Sequence, residues 1–330
     1  MPLSFNQPDS ILSTTLANYQ KTLQDNIYRA NPLLFFLIGK VPQTPMQDGV
    51  QGRTRGQLKV VDGGESIVVP LMYGKNTTAK PYSKYGVIDT SPQEGITSAR
   101  YIWKQVAATI TISGLEERSN AGSDTRVIDL LAGKTNQAEK ALMEELETEM
   151  FSANGDGDLG VTGLRTLLST TATTGGISPT GNSWWVPQSN ASVGSFAAGG
   201  LDAMRTLFNS ASLGNDTPDF GITTQSVFEY YEKVLQPQER FNDSTMIDGG
   251  FQNLLFKGKP ITFSQFCPSG TLYFLNSKYL NLFVHSDANM ATTPFVKPTN
   301  QDAKTAQILF QGELTTSNRR LHAVAAGITA

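Results

Sequence analysis

The sequence predicts an α+β protein, and three features of its 330 residues predict it: a long amphipathic helix signal over 124–151, β-rich text on either side of it, and short alternating helices and strands over 195–290. That length exceeds one usual core, so two domains, or one domain with long excursions, are expected. A hydrophobic content of 39% with 17% charged residues fits a globular chain, and the many Gly, Ser, Thr and Asn residues imply much strand and loop.

The elements follow in order. Residues 10–29 place Ile11, Leu12, Thr15, Leu16, Tyr19, Leu23 and Ile27 at spacings of three and four, an amphipathic helix. Asn31-Pro32 ends it, and Leu33-Leu34-Phe35-Phe36-Leu37-Ile38 forms an apolar patch before a stretch with Pro42, Pro45 and Gly49. Such an arm has little to pack on by itself and needs cover from the rest of its subunit or from a neighbour. Residues 66–72 read as one strand and 99–112, through Trp103, Val106, Ile110 and Ile112, as another. The polar residues between them, 74–95, make a long hairpin tip, and loops of that length usually do something.

The long helix starts at an N-cap expected at Ser123 or Asp124, with Val127, Leu131, Ala138, Leu142, Leu146 and Met150 along one stripe. Lys140, Glu144, Glu145, Glu147 and Glu149 are expected on its exposed face. Asn154-Gly-Asp-Gly-Asp-Leu-Gly160 then turns the chain; a short helix at 163–168 and a Thr/Gly/Ser-rich surface loop ending in Trp184-Trp185 follow. The α/β unit contains a helix around Leu201–Phe208, a strand at 219–223, a helix at 226–235 and strands at 259–263, 270–275 and 280–285. Residues 306–314 and 320–328 are expected as paired terminal strands.

Charge and chemistry narrow the function. A formal charge of −3 argues against tight binding along nucleic acid. It is uneven: residues 1–60 carry six basic side chains (Lys21, Arg29, Lys40, Arg53, Arg55, Lys59) against three acidic ones (Asp9, Asp25, Asp48). Cys267 is the only cysteine, so no intrachain disulfide forms. The amino terminus lacks the basic and apolar regions of a signal peptide, which points to a soluble, cytoplasmic protein. Gly155-x-Gly157-x-x-Gly160 matches a dinucleotide fingerprint by letter but follows a helix instead of a strand. Asn154, Asp156 and Asp158 suggest a calcium loop, yet Leu159 and Arg165 stand where its Gly and Glu belong. The only histidines, His285 and His322, are far apart, no Gly-x-Ser-x-Gly occurs, and the adjacent pairs Glu116/Glu117 and Glu144/Glu145 diverge on a helix. No catalytic, cofactor or metal site is assigned.

The order of these pieces, with Val69-Pro70-Leu71-Met72-Tyr73, Tyr101-Ile-Trp103-Lys, Ile110-Thr-Ile-Ser-Gly114-Leu-Glu116-Glu117, Ile128-Asp-Leu-Leu131, Gly175-Gly-Ile and Asn182-Ser-Trp184-Trp185, resembles the tailed-bacteriophage major capsid family of the Hong Kong ninety-seven type over nearly the whole chain. The resemblance implies an N-arm over 1–52, an extended loop over 53–110 that crosses an adjacent subunit, a peripheral domain over 111–194 and 291–330 built on the spine helix, and an axial domain over 195–290. It implies self-assembly as pentamers and hexamers into an icosahedral shell around double-stranded DNA, in a virion assembled in the host cytoplasm. Leu33, Phe35, Phe36, Lys75, Lys80, Tyr82, Lys84 and Trp103 become the expected inter-subunit contacts. The implied partners are copies of the chain, a separate scaffolding protein, portal and decoration or head-tail proteins, and DNA touched weakly and non-specifically; no cofactor is implied. Some members of the family crosslink a Lys to an Asn, and Lys75, Lys80 and Lys84 lie where such a lysine would sit, though no motif fixes a partner. The competing readings are an encapsulin-type compartment of the same fold, a carbohydrate-active or peptidase enzyme with a β-rich core, and another virion structural protein.

Overall fold

The computed structural model describes residues 31–38, 57–119, 130–235 and 253–330. The helix expected over 10–29, the Pro/Gly stretch after Ile38 and the N-cap expected at Ser123 or Asp124 lie outside them.

Helix α1 (Pro32–Ile38) opens the described chain, followed by β1 (Gln57–Val61), β2 (Ser66–Met72), β3 (Ile96–Ile102), β4 (Lys104–Ser113) and the short α2 (Gly114–Ser119). The long helix is α3 (Leu130–Phe151), 22 residues or about 33 Å. Then come α4 (Leu164–Leu167), β5 (Gln188–Asn190), β6 (Gly194–Ser195), α5 (Phe196–Ser210), β7 (Phe220–Thr223), α6 (Gln225–Leu235), β8 (Asn253–Phe256), β9 (Lys259–Phe263), β10 (Leu272–Leu275), β11 (Leu280–Thr292), β12 (Ala303–Thr316), β13 (Ala323–Ala325) and β14 (Ile328–Thr329).

Two sheets carry the architecture. One has the order β1-β11-β12-β4, with α3 packed on β4; the other has the order β5-β13-β10-β7-β9-β8 and carries α5 and α6 on one face. Strands β7 and β10 read as unbroken apolar runs because both of their faces are buried. Alternation along β10 sends Leu272 and Phe274 into the core under α5 and α6, and Tyr273 and Leu275 into a second core shared with α1 and α3. The six-stranded sheet is therefore the wall between two cores.

The sheets divide the chain at residues other than those expected. β11, expected inside the α/β unit, pairs with β12 and β1 in the four-stranded sheet, while β5 and β13 leave the expected peripheral segments for the six-stranded one. Segments 306–314 and 320–328 do not pair with each other: the first lies in β12 between β11 and β4, and β13 runs between β5 and β10. The expected strand over 99–112 is two strands, because at Trp103 the chain leaves β2 as its partner and takes up β12. The indole Nε1 of Trp103 marks the change by donating to Gly64 O at 2.8 Å. The extended excursion is thus 66–102, with β1 and the whole of β4 belonging to the body.

Two connections join the six-stranded sheet to the four-stranded one, at 276–279 and 317–322, and they are tied to each other. Ser317 N donates to Tyr279 O at 2.9 Å and Asn276 N donates to His322 Nδ1 at 3.1 Å. His322 is fully buried, and burial followed by the nearby Arg319 charge pushes its pKa down to about 3, so the neutral ring accepts that bond.

Helix α1 is the plug of the central core. Leu33, Leu34, Phe36 and Leu37 are at most 2% exposed, and the Phe36 ring stacks on Phe220 with centroids 4.0 Å apart. We expect Phe36→Ala, which removes the stack and leaves a cavity against the wall, to cost about 3–5 kcal/mol in urea unfolding. A cost below about 1 kcal/mol would mean that α1 is not an integral part of this core.

Candidate assembly interface

The ribbon β2–β3 is the feature whose form the subunit itself does not explain. Its inner face, with Ile67, Leu71, Ala99 and Tyr101, is buried on the central core, and Tyr101 Oη donates to Thr316 O at 2.9 Å. Gly175 fixes the ribbon from below: its carbonyl accepts Arg100 N at 2.9 Å, its φ is +61°, and a Cβ there would lie 2.7 Å from that of Ala99. Beyond the ribbon, Tyr73 stacks on Trp184 with centroids 5.6 Å apart, and the hydrogen bonds of residues 73–95 are local among the described residues, such as Thr77 Oγ1 to Gln93 Oε1 at 2.9 Å and the Asx turns at Asn76 and Asp89.

The expected contact residues divide into two groups. Lys75, Lys80, Tyr82 and Lys84 all stand exposed on this excursion, beside Tyr85, Val87 and Ile88, and Val87 is 96% exposed. Lys80 makes a loose ion pair with Asp89 at 3.8 Å, which contributes little in water. Leu33 and Phe36 require correction: both sit in the core of their own subunit, so the apolar patch finds its cover within the chain and does not offer these side chains to a neighbour. Phe35 is half-buried against the same core, and Trp103 is half-buried between Gly64 and His285.

A second surface lies between β4 and α3. Val106, Ala108, Leu142 and Leu159 line this groove, with Glu145 and Glu149 on its rim. Burial, and then the Glu145 charge one turn away, raise the Glu149 carboxyl above its ordinary value.

The interior holds a set of charged groups that sequence reasoning missed or misplaced. Glu147, expected on the exposed face of the long helix, is completely buried. Its oxygens accept Leu33 N at 3.1 Å and Leu34 N at 2.9 Å, capping the first turn of α1, and Ser264 Oγ reaches it at 3.4 Å. The signal was its phase: Glu147 stands four residues after Met143 and three before Met150, both buried. Burial pushes its carboxyl up to about 7 against the pull of those donors. Glu313 on β12, pushed by burial up to about 8, accepts Thr162 N at 3.0 Å. Lys104 donates to the carbonyls of Asp156 and Asp158, so the turn read as a possible cation loop is held by an ammonium of the same chain. Arg319 is fully buried and donates from Nε to Leu167 O at 2.7 Å and also to the carbonyls of Thr166, Ser169 and Ala172. These groups bond to the backbone of their own fold, which makes them structural.

Both buried glutamates have folded pKa values above the ordinary 4.5, so the folded state holds more protons than the unfolded chain between about pH 4.5 and 8. Stability from these groups is present at low pH and is lost as pH rises through their folded values. We expect the urea midpoint to fall between pH 5 and 8, and Glu147→Gln to flatten the part of that fall below pH 7.5. An unchanged slope in the variant would show that Glu147 does not titrate there.

No family model matches the sequence, and no curated protein matches it. Solved structures do match along the whole chain. The capsid asymmetric unit of cyanophage A-1(L) superposes with a TM-score of 0.71 at 16% identity, covering 96% of this chain and 98% of that one. The holo-SrpI encapsulin complex of Synechococcus elongatus PCC 7942 gives 0.59 at 12% identity, covering 97% and 95%. A chain of Mycobacterium phage Bobi gives 0.58 at 10% identity, covering 97% of each. The chain therefore has the Hong Kong ninety-seven type capsid fold over nearly its whole length.

Proposed function

We propose that this chain is the major head protein of a tailed double-stranded DNA phage, a structural subunit that acts by assembly and not by catalysis. The observation that carries this reading is the end-to-end match, in both directions, to a phage capsid subunit. The ribbon supports it, with an outer face and a basic loop that are exposed among the described residues: such a surface suits a subunit closed against its neighbours. Many modest contacts, multiplied over a closed shell of pentamers and hexamers, give a durable container from weak pairwise affinity. On this reading the protein resides in virions assembled in the host cytoplasm. Its partners are its own copies, a separate scaffolding protein, portal and decoration or head-tail proteins, with packaged DNA touched weakly.

The encapsulin match over 97% of the chain favours a second reading, a bacterial compartment shell. The two part on contents: an encapsulin closes around a cargo protein, whereas a phage head depends on a scaffold and takes in DNA.

The test is negative-stain electron microscopy with light scattering on the purified chain, alone and co-expressed with neighbouring head genes. Closed shells or capsomer rings are expected. A monomer under every condition, turning over glycans or peptides, would return the enzyme reading. Shells that form without a scaffold and co-purify with one stoichiometric cargo protein would favour the compartment.

A further inference from the structure

Asn154-Gly155 is the one Asn-Gly pair in the sequence, and it opens the turn by which the chain leaves the long helix. The backbone there is pinned. Asn154 N donates to Ser152 Oγ at 3.1 Å, Gly163 N donates to Asn154 O at 3.1 Å, and Lys104 Nζ donates to the carbonyls of Asp156 and Asp158. Two carboxylates touch the pair, one at each nitrogen that an internal cyclisation uses. Asp158 Oδ2 accepts Gly155 N at 2.7 Å, and Glu149 Oε2 accepts Asn154 Nδ2. A carboxyl group within hydrogen-bond reach of a reacting nitrogen is placed to take or give its proton.

The turn itself does not require glycine at 155. Its φ lies outside the left-handed region, and a Cβ there would meet nothing nearer than Thr166 Cγ2 at 3.5 Å, an ordinary contact. Alanine would fit. What glycine leaves is an unshielded amide next to the Asn154 side chain, at a residue only half-buried and so open to water.

We propose that this turn is a built-in modification site, at which Asn154 loses its amide nitrogen with Asp158 as base and Glu149 as acid. Gly155 N closes on Asn154 Cγ while its proton passes to Asp158 Oδ2. The Cγ–Nδ2 bond breaks, and Nδ2 leaves as ammonia with a proton from the Glu149 carboxyl. Burial, and then the Glu145 charge, favour the acid form of that carboxyl. Asp158 then releases its proton to solvent and Glu149 takes one back, so both groups are restored. Water opens the cyclic imide at either carbonyl, leaving aspartate or isoaspartate at 154, and no oxidant or reductant is consumed. The product sets a new carboxylate beside Glu149, which lines the groove between β4 and α3, and removes the donor that Glu149 had there.

The test keeps the purified full chain near neutral pH, folded in one sample and unfolded in urea in another. Conversion at 154 is read by peptide mass spectrometry from the mass gained when an amide becomes an acid, with isoaspartate told from aspartate by electron-transfer fragmentation. Asn154 is expected to convert about tenfold faster in the folded chain, because acid and base act only when positioned. Asp158→Asn and Glu149→Gln should each bring the folded rate down to the unfolded rate or below. Gly155→Ala should suppress it with an unchanged circular-dichroism spectrum. A folded chain that converts no faster than the unfolded one overturns the inference. So does a folded rate that survives either carboxylate substitution, and if one of those variants fails to fold the other decides alone.

Discussion

One buried carboxylate orders much of this subunit. Glu147 projects from the carboxyl-terminal part of the long helix into an apolar seam, where the amides of Leu33 and Leu34 need an acceptor and water is excluded. By satisfying them it holds α1 in place, and α1 in turn supplies Phe36 to the wall strand β7. The long helix, α1 and the central core are therefore registered through one buried carboxylate. Arg319 does the complementary task, donating to the carbonyls of Leu167, Ser169 and Ala172 where the chain leaves α4.

The same division of labour, buried polar groups for registration and apolar surface for adhesion, explains why the outside of the molecule looks unfinished. Inside the body, charged side chains bond to backbone; on the ribbon, Val68, Met72, Ile96 and Ile102 are exposed among the described residues. A chain selected to be a solitary globule would have polar residues at Met72 and Ile96. The proposed shell role would reverse that preference, because each copy would complete the surface of another.

Much of this was legible in the residues. The stripe of Ala138, Leu142, Leu146 and Met150 marked the buried side of the long helix, and the polar run between two β-rich segments marked the excursion, since both signals are local and periodic. Non-local choices were not legible. Whether 280–292 pairs with its sequence neighbours or crosses to another sheet depends on which partner edge is open, and no periodicity within a strand records that. Glu147 was misread because a carboxylate on a helix is ordinarily solvated, and its acceptor role depends on amides 113 and 114 residues away. Leu33 and Phe36 looked like interface because an apolar run beside prolines does not reveal which surface takes it.

Cys267 gives the subunit a property of a different kind. It is the only cysteine, it lies buried beside Thr271, and burial pushes its thiol up to about 12, far from the reactive thiolate. The folded protein is therefore expected to react slowly with maleimides and iodoacetamides at this position. A cysteine engineered at Val87, on the outermost part of the excursion, would be its one addressable thiol, so dyes, peptides or metal chelates could be attached to every copy at a single known position.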